Sequence, residues 1–180
     1  MKLTKRGEYA LRTLIRLGSA EKRGVEVVSV ATLAGEEKLP YKFLENILAE
    51  LRQAGFVESK RGKLGGVMLA RPMTSIKMGD IVRLIDGKLA PIGCASETEY
   101  EKCSCPDEIH CGLRMLMIDV RNAIANILDR YTLEHVVEVT MRKEESNLRS
   151  KSKAKTARKP ARHADPADGF LAALLQIKPA

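Results

Sequence analysis

The sequence predicts a mainly α-helical protein with a small β-hairpin, arranged as a winged helix-turn-helix head followed by a long dimerisation helix. Three features lead to this reading. Residues 1–88 carry helix-period apolar stripes, interrupted by two short strand-type runs around a glycine-rich basic turn. Residues 113–131 repeat apolar side chains in alternating steps of four and three. The net charge of +8 is concentrated at one end, where residues 142–180 hold 10 Lys and Arg against 4 Asp and Glu. A chain of 180 residues, 44% hydrophobic, has room for one ordinary domain with additions, which excludes a multidomain enzyme. An aromatic content of 4% without Trp argues against carbohydrate binding or an aromatic cage.

The first helix is predicted from Thr4 to Gly18, where Gly7, Ala10, Leu11, Leu14, Ile15 and Gly18 fall on one stripe. Ser29 is suited to cap a short second helix through Val30, Leu33 and Ala34, and Gly35 to Lys38 reads as a turn. Pro40 suits the first turn of a third helix with Phe43, Leu44, Ile47, Leu48 and Leu51 inward. Its outer face then shows Tyr41, Lys42, Glu45, Asn46 and Ala49, and Gly55 ends it with a left-handed cap. Residues 56–60 and 67–71 are the strands of a hairpin tipped by Arg61-Gly62-Lys63-Leu64-Gly65-Gly66. Ser75 is expected to cap a fourth helix ended by Gly87.

Residues 89–110 form a cysteine-bearing loop that is ordered only if something ties it down. From 111 to 131 the seam Leu113, Met117, Val120, Ile124, Ile127, Tyr131 calls for a partner helix. A short apolar segment completes 111–141. Residues 142–180 read as a basic, disordered tail, with an apolar cluster at 170–177 whose role is unreadable.

A basic chain without any run of the roughly 18 apolar residues that a membrane span needs is expected to be cytoplasmic and to meet nucleic acid, with no membrane partner. Three helices and a basic wing place the third helix in a major groove and the wing on the backbone. Glu45 can accept from a cytosine amino group and Asn46 can pair with adenine. Thr4, Lys5, Arg6, Tyr41 and Lys42 are suited to phosphate. Arg61 and Lys63 bring charge to the wing, where Gly62, Gly65 and Gly66 allow close approach. No nucleophile-base-orienter set and no phosphate-loop motif is present, so enzyme activity is not expected.

Cys94, Cys103, Cys105 and Cys111 are separated by eight, one and five residues, unlike the paired C-x-x-C knuckles of most structural zinc sites. In a reducing cytoplasm such thiols suit an iron-sulfur cluster, zinc, or thiol-disulfide sensing.

The chain resembles the Rrf-two family of winged-helix transcription regulators, of the IscR, NsrR and RirA type. The resemblance covers residues 1 to about 140. It is carried by residues 1–12 (MKLTKRGEYALR), Tyr41-Lys42-Phe43-Leu44-Glu45-Asn46-Ile47-Leu48, residues 51–57 (LRQAGFV) and the wing sequence at 61–66. It implies a homodimer joined through the long helix and bound to a partly palindromic operator in double-stranded DNA, expected to act as a repressor. It implies that the position of Glu45 takes part in base recognition. It also implies an iron-sulfur cluster, 2Fe-2S or 4Fe-4S, that senses iron, redox state or nitric oxide. By this match Cys94, Cys105 and Cys111 are the ligands and Cys103 is an alternate. Where IscR has a histidine three residues after the last cysteine, this chain has Arg114. Glu8 stands where some relatives place a carboxylate ligand from the other subunit. The alternative is a cluster-free, thiol- or zinc-dependent regulator of the same fold.

Overall fold

The computed structural model describes residues 3–62 and 65–153. The expected wing cation Lys63, the tail from residue 154 and the apolar cluster at 170–177 lie outside the described residues. Among the described residues there are six α-helices and one two-stranded antiparallel sheet: α1 (Lys5–Lys22), α2 (Val30–Glu37), α3 (Tyr41–Gln53), β1 (Val57–Lys60), β2 (Gly66–Leu69), α4 (Met78–Asp86), α5 (Gly112–Arg130) and α6 (Leu133–Lys153). Short 3-10 turns lie at Met73–Ser75 and Gly93–Ala95. No described helix is long and apolar enough to cross a membrane.

Helix α1 starts where Thr4 Oγ1 accepts from the Gly7 amide at 3.0 Å. The Thr4 amide donates to Asp86 Oδ2 at 2.9 Å and its hydroxyl donates to Asp86 Oδ1, so the start of α1 is fastened to the end of α4. A Cβ at Gly7 would come within 2.5 Å of that carboxylate, which explains the glycine. Ala10, Leu14 and Leu17 then enter a core shared with Leu33, Leu44, Ile47, Leu51, Ile76, Ile81 and Val137.

Ser29 caps α2 as expected, accepting from the Thr32 amide at 3.0 Å. The helix passes Gly35 instead of breaking there and ends at Lys38, which takes a left-handed φ of +54°. Its last turn is held because the buried Glu37 carboxylate lies 2.6 Å from Arg12 and 3.5 Å from Arg16. Pro40 stands just outside α3, at its N-cap. At the other end Gly55, with φ +72°, turns the chain into β1. The hairpin pairs Val57 with Leu69 and Lys60 with Gly66, and Val28 adds a bridge to Val67. Gly66 lies so close to the Val28 carbonyl that a Cβ there would collide with it.

Ser75 does not cap α4. Its hydroxyl donates to the Pro72 carbonyl at 2.8 Å within a 3-10 turn. Instead, the first amide of α4, on Met78, donates to the Tyr131 carbonyl at 3.0 Å, and the Leu133 amide donates to the Ile76 carbonyl at 2.8 Å. The α5–α6 turn thus does the work of a cap. Arg83 fixes the same junction with Nη1 2.8 Å from Asp129 Oδ1 and Nη2 2.5 Å from Asp129 Oδ2. The sequence places the end of the helical part near 141, but α6 runs to Lys153. Lys, Arg and Glu are good helix formers, and Glu144 on this extension pairs with Arg23 at 2.5 Å and reaches Arg16 at 4.0 Å.

The Arg83 guanidinium holds the Asp129 carboxyl below its ordinary range. A carboxylate whose folded pKa is lowered stabilises the fold above its unfolded pKa of about 3.9 and loses that contribution as pH falls through the folded value. Asp129→Asn is therefore expected to be less stable than wild type at pH 7 in urea melts. That deficit should shrink below about pH 4; an unchanged deficit in acid would show that the pair does not act through charge.

Candidate nucleic-acid interface and cysteine site

A cleft of about 650 Å³ opens between the start of α2, the outer face of α3 and the hairpin. Tyr41, Lys42, Glu45 and Asn46 line it, together with Gly62, Gly65 and Gly66. These seven expected residues come together because Leu44, Ile47, Leu48 and Leu51 bury the opposite side of α3. The cleft also takes in Ser29, Arg52, Ser59 and Lys60, which the sequence reading did not single out. Arg52 could have been found, since it follows Glu45 by two helical turns on the same face.

The cations divide into two groups. Lys42 Nζ lies 2.8 Å from Glu45, which raises its pKa, and Lys5 Nζ lies 2.8 Å from Glu8. Arg6 lies 2.5 Å from Glu50. Thr4 caps α1 and holds Asp86. Thr4, Lys5, Arg6 and Lys42, all expected to meet phosphate, therefore have intramolecular partners. Among the described residues, Arg52, Lys60 and Arg61 have no carboxylate partner, and they lie along α3 and the base of the wing.

The cysteine loop is tied to α5 by arginines. Arg114 Nε donates to the Cys94 carbonyl at 2.9 Å, and Arg121 Nη1 donates to the Ala95 carbonyl at 2.8 Å. Arg114 also lies 3.3 Å from Glu108, which accepts from the Tyr100 hydroxyl at 2.7 Å. Asp107 accepts from the His110 amide at 3.1 Å and lies 2.8 Å from His110 Nδ1. The His110 amide bond is the main reason the Asp107 pKa is lowered. Arg114 is thus the staple of this loop.

Cys94 is buried and Cys105 is exposed, and all four thiols are free. Cys103 acts on both Cys94 and Cys105, and Cys111 acts on Cys105. Burial, then the Cys103 contact, pushes the Cys94 thiol pKa up. The hydrogen bond and charge of Cys103 push that of Cys105 to about 11. Cys103 is therefore the central member of the sulfur chain. Among the described residues no three His, Cys, Asp or Glu side chains converge on a point fit for one metal ion. Glu8 lies between Lys5 and Arg12, and the Lys5 hydrogen bond holds its carboxyl below the ordinary range.

Helix α5 buries no residue completely within the chain. Leu113, Leu116 and Ile127 are each more than half exposed, whereas Tyr131, the last seam residue, is buried.

Residues 3–139 match the Rrf2 family, described as an iron-dependent transcriptional regulator. The chain belongs to the Rrf2 family. It is 34% identical over 137 residues to an Rrf2-like HTH-type transcriptional regulator of Rhodobacter capsulatus, covering 75% of this chain and 91% of that protein. It is 32% identical over 148 residues to the HTH-type transcriptional regulator CymR of Bacillus subtilis, covering 82% of this chain and 98% of CymR. The solved structure of CymR, described as the global cysteine regulator of B. subtilis, superposes with a TM-score of 0.63 at 30% identity, over 77% of this chain and 97% of that one. The IscR structure of T. potens gives a TM-score of 0.56 at 26% identity, over 88% and 94%. The winged-helix fold and a role in transcription regulation, not catalysis, follow for this Rrf2 protein.

Arg114→Ala removes the donor on the Cys94 carbonyl and the cation beside Glu108. Limited proteolysis is expected to cut residues 97–110 severalfold faster, with little change in melting temperature. Unchanged cleavage would show that the staple does not hold the loop.

Proposed function

We propose that this Rrf2 regulator binds a partly palindromic operator as a homodimer, with α3 in the major groove and the hairpin on the backbone. The observation that carries this reading is the cleft itself, where the half-buried Glu45 and the exposed Asn46 stand beside a glycine-rich wing with unpaired cations. Glu45 and Asn46 supply base readout, while Tyr41, Arg61, Gly62, Gly65 and Gly66 approach the backbone. The exposed Leu113, Leu116 and Ile127 on α5 support pairing of two copies through that helix. Repression follows if the operator overlaps a promoter.

We further propose that an iron-sulfur cluster on Cys94, Cys105 and Cys111, with Cys103 as alternate, sets operator affinity in response to iron, redox state or nitric oxide. The chemistry of the donor set supports this: four soft, free thiols lie in one segment that ends at Cys111, the N-cap of α5. When bound, the cluster supplies reversible, iron-dependent redox and ligand chemistry. The thiols would release their protons to solvent on binding, and Arg114 and Arg121 hold the loop that carries them. Glu8 would add a carboxylate from the other subunit only by leaving Lys5 and Arg12. A second reading, a cluster-free thiol sensor, is supported by the sulfur chain and by the likeness to CymR, a cysteine regulator.

Anaerobic purification separates the two. A brown protein absorbing between about 320 and 460 nm, with matching iron and sulfide, is expected, and loses both in the Cys94→Ala, Cys105→Ala, Cys111→Ala triple variant. A protein that stays colourless after reconstitution would leave the thiol reading. Glu45→Ala should cost about 1–3 kcal/mol at one operator base pair while binding to unrelated DNA is retained. Equal loss on both DNAs would remove Glu45 from base reading.

A further inference from the structure

Arg52 has a position in the cleft that the other cations lack. Its Nη1 donates to the Ser59 hydroxyl on β1 at 3.1 Å, so one side chain joins the last turn of α3 to the wing. A guanidinium carries five N–H donors in a planar fork, so most of them remain available. No carboxylate neutralises it among the described residues, whereas Lys42, farther up the same face, is closed against Glu45. Ser59 is followed in β1 by Lys60, which also lacks a carboxylate partner and lines the same cleft. The wing and a helix face thus share one cationic corner, joined by one hydrogen bond.

We propose that Arg52 is both the phosphate anchor at the base of the wing and the residue that sets the wing's angle to the recognition helix. The proposal rests on the DNA-binding reading of the cleft and deepens it. A phosphate at this corner accepts from the Arg52 donors not used by Ser59, with Lys60 adding a point charge. Arg52 is then held from two sides, and capture of the backbone fixes the wing in the same event. The charge pattern explains why an anion, not a protein acid, suits the corner: the nearby acid on α3, Glu45, is already engaged by Lys42.

The test uses the full chain and fluorescence anisotropy on a labelled mixed-sequence duplex across a potassium chloride titration. Arg52→Ala should weaken binding about tenfold and flatten the log K against log salt line by about 0.9, the change for one lost phosphate contact. Ser59→Ala keeps the cation and should retain the wild-type slope, with a weaker affinity of about threefold from the unfixed wing. Arg52→Lys should match Ser59→Ala, and Arg52→Gln replaces the alanine variant if the end of α3 is disturbed. A wild-type slope in Arg52→Ala or Arg52→Gln overturns the phosphate anchor, and wild-type affinity in Ser59→Ala overturns the coupling. If the unaltered chain shows no salt-dependent duplex binding, the DNA reading of the cleft itself falls, which is distinct from either result.

Discussion

Arg83 meets Asp129 through two parallel N–H···O bonds, beside the place where the α5–α6 turn donates to and accepts from the start of α4. Helix α4 is thereby shared. Its first turn belongs to the long helix and its last residue, Asp86, belongs to the start of α1. The cysteine loop rests on α5, and α3 rests on α1 through the common core and the Arg6–Glu50 pair. A rearrangement of the loop can therefore reach α3 through α4, or through α6, which also packs on α1 and pairs Glu144 with Arg23. This describes a mechanical connection, and the free energy it transmits depends on two discrete positions of α4.

Charge placement in the head follows a division of labour. Cations near the start of α1 and the first turn of α3 hold acids, which fixes side chains and keeps those surfaces near neutral. Such exposed pairs add little stability, usually less than about 1 kcal/mol each, so their effect is on the local field. Arg52 and Lys60, which hold no acid among the described residues, lie where α3 meets the wing. Positive potential is consequently focused on one edge of the cleft, leaving the polar pair Glu45 and Asn46 on the helix face.

The fold was largely legible because the apolar periods are strong: Leu44, Ile47, Leu48 and Leu51 in α3 and the step of four and three along α5 are one-sided patterns that need no tertiary information. The misses have a common cause. Helix α2 outlasts Gly35 because Glu37 finds Arg12 and Arg16 in a distant helix, and α6 outlasts residue 141 where Glu144 finds Arg23. Ser75 yields its expected cap to the Tyr131 carbonyl, which is more than fifty residues away in sequence. At the site, spacing identified Glu45, Asn46 and the wing glycines as neighbours, but could not show which cations were already paired. Nor could it show that Cys103 sits in the middle of the sulfur chain, since contacts between loop thiols depend on how the loop folds back.

The wing glycines have a consequence for how this surface can change over generations. Gly66 is pressed on the Val28 carbonyl, and a side chain at Gly65 would lie 2.5 Å from the Lys60 carbonyl. Both positions are closed to substitution by neighbouring backbone, that of the hairpin itself at Gly65 and that of the segment before α2 at Gly66. These two positions are therefore poor places for drift, because a side chain there displaces backbone that the hairpin needs. The exposed residues of α3 carry no such constraint, so variation among copies of this gene would accumulate on the helix while Gly65 and Gly66 stay fixed.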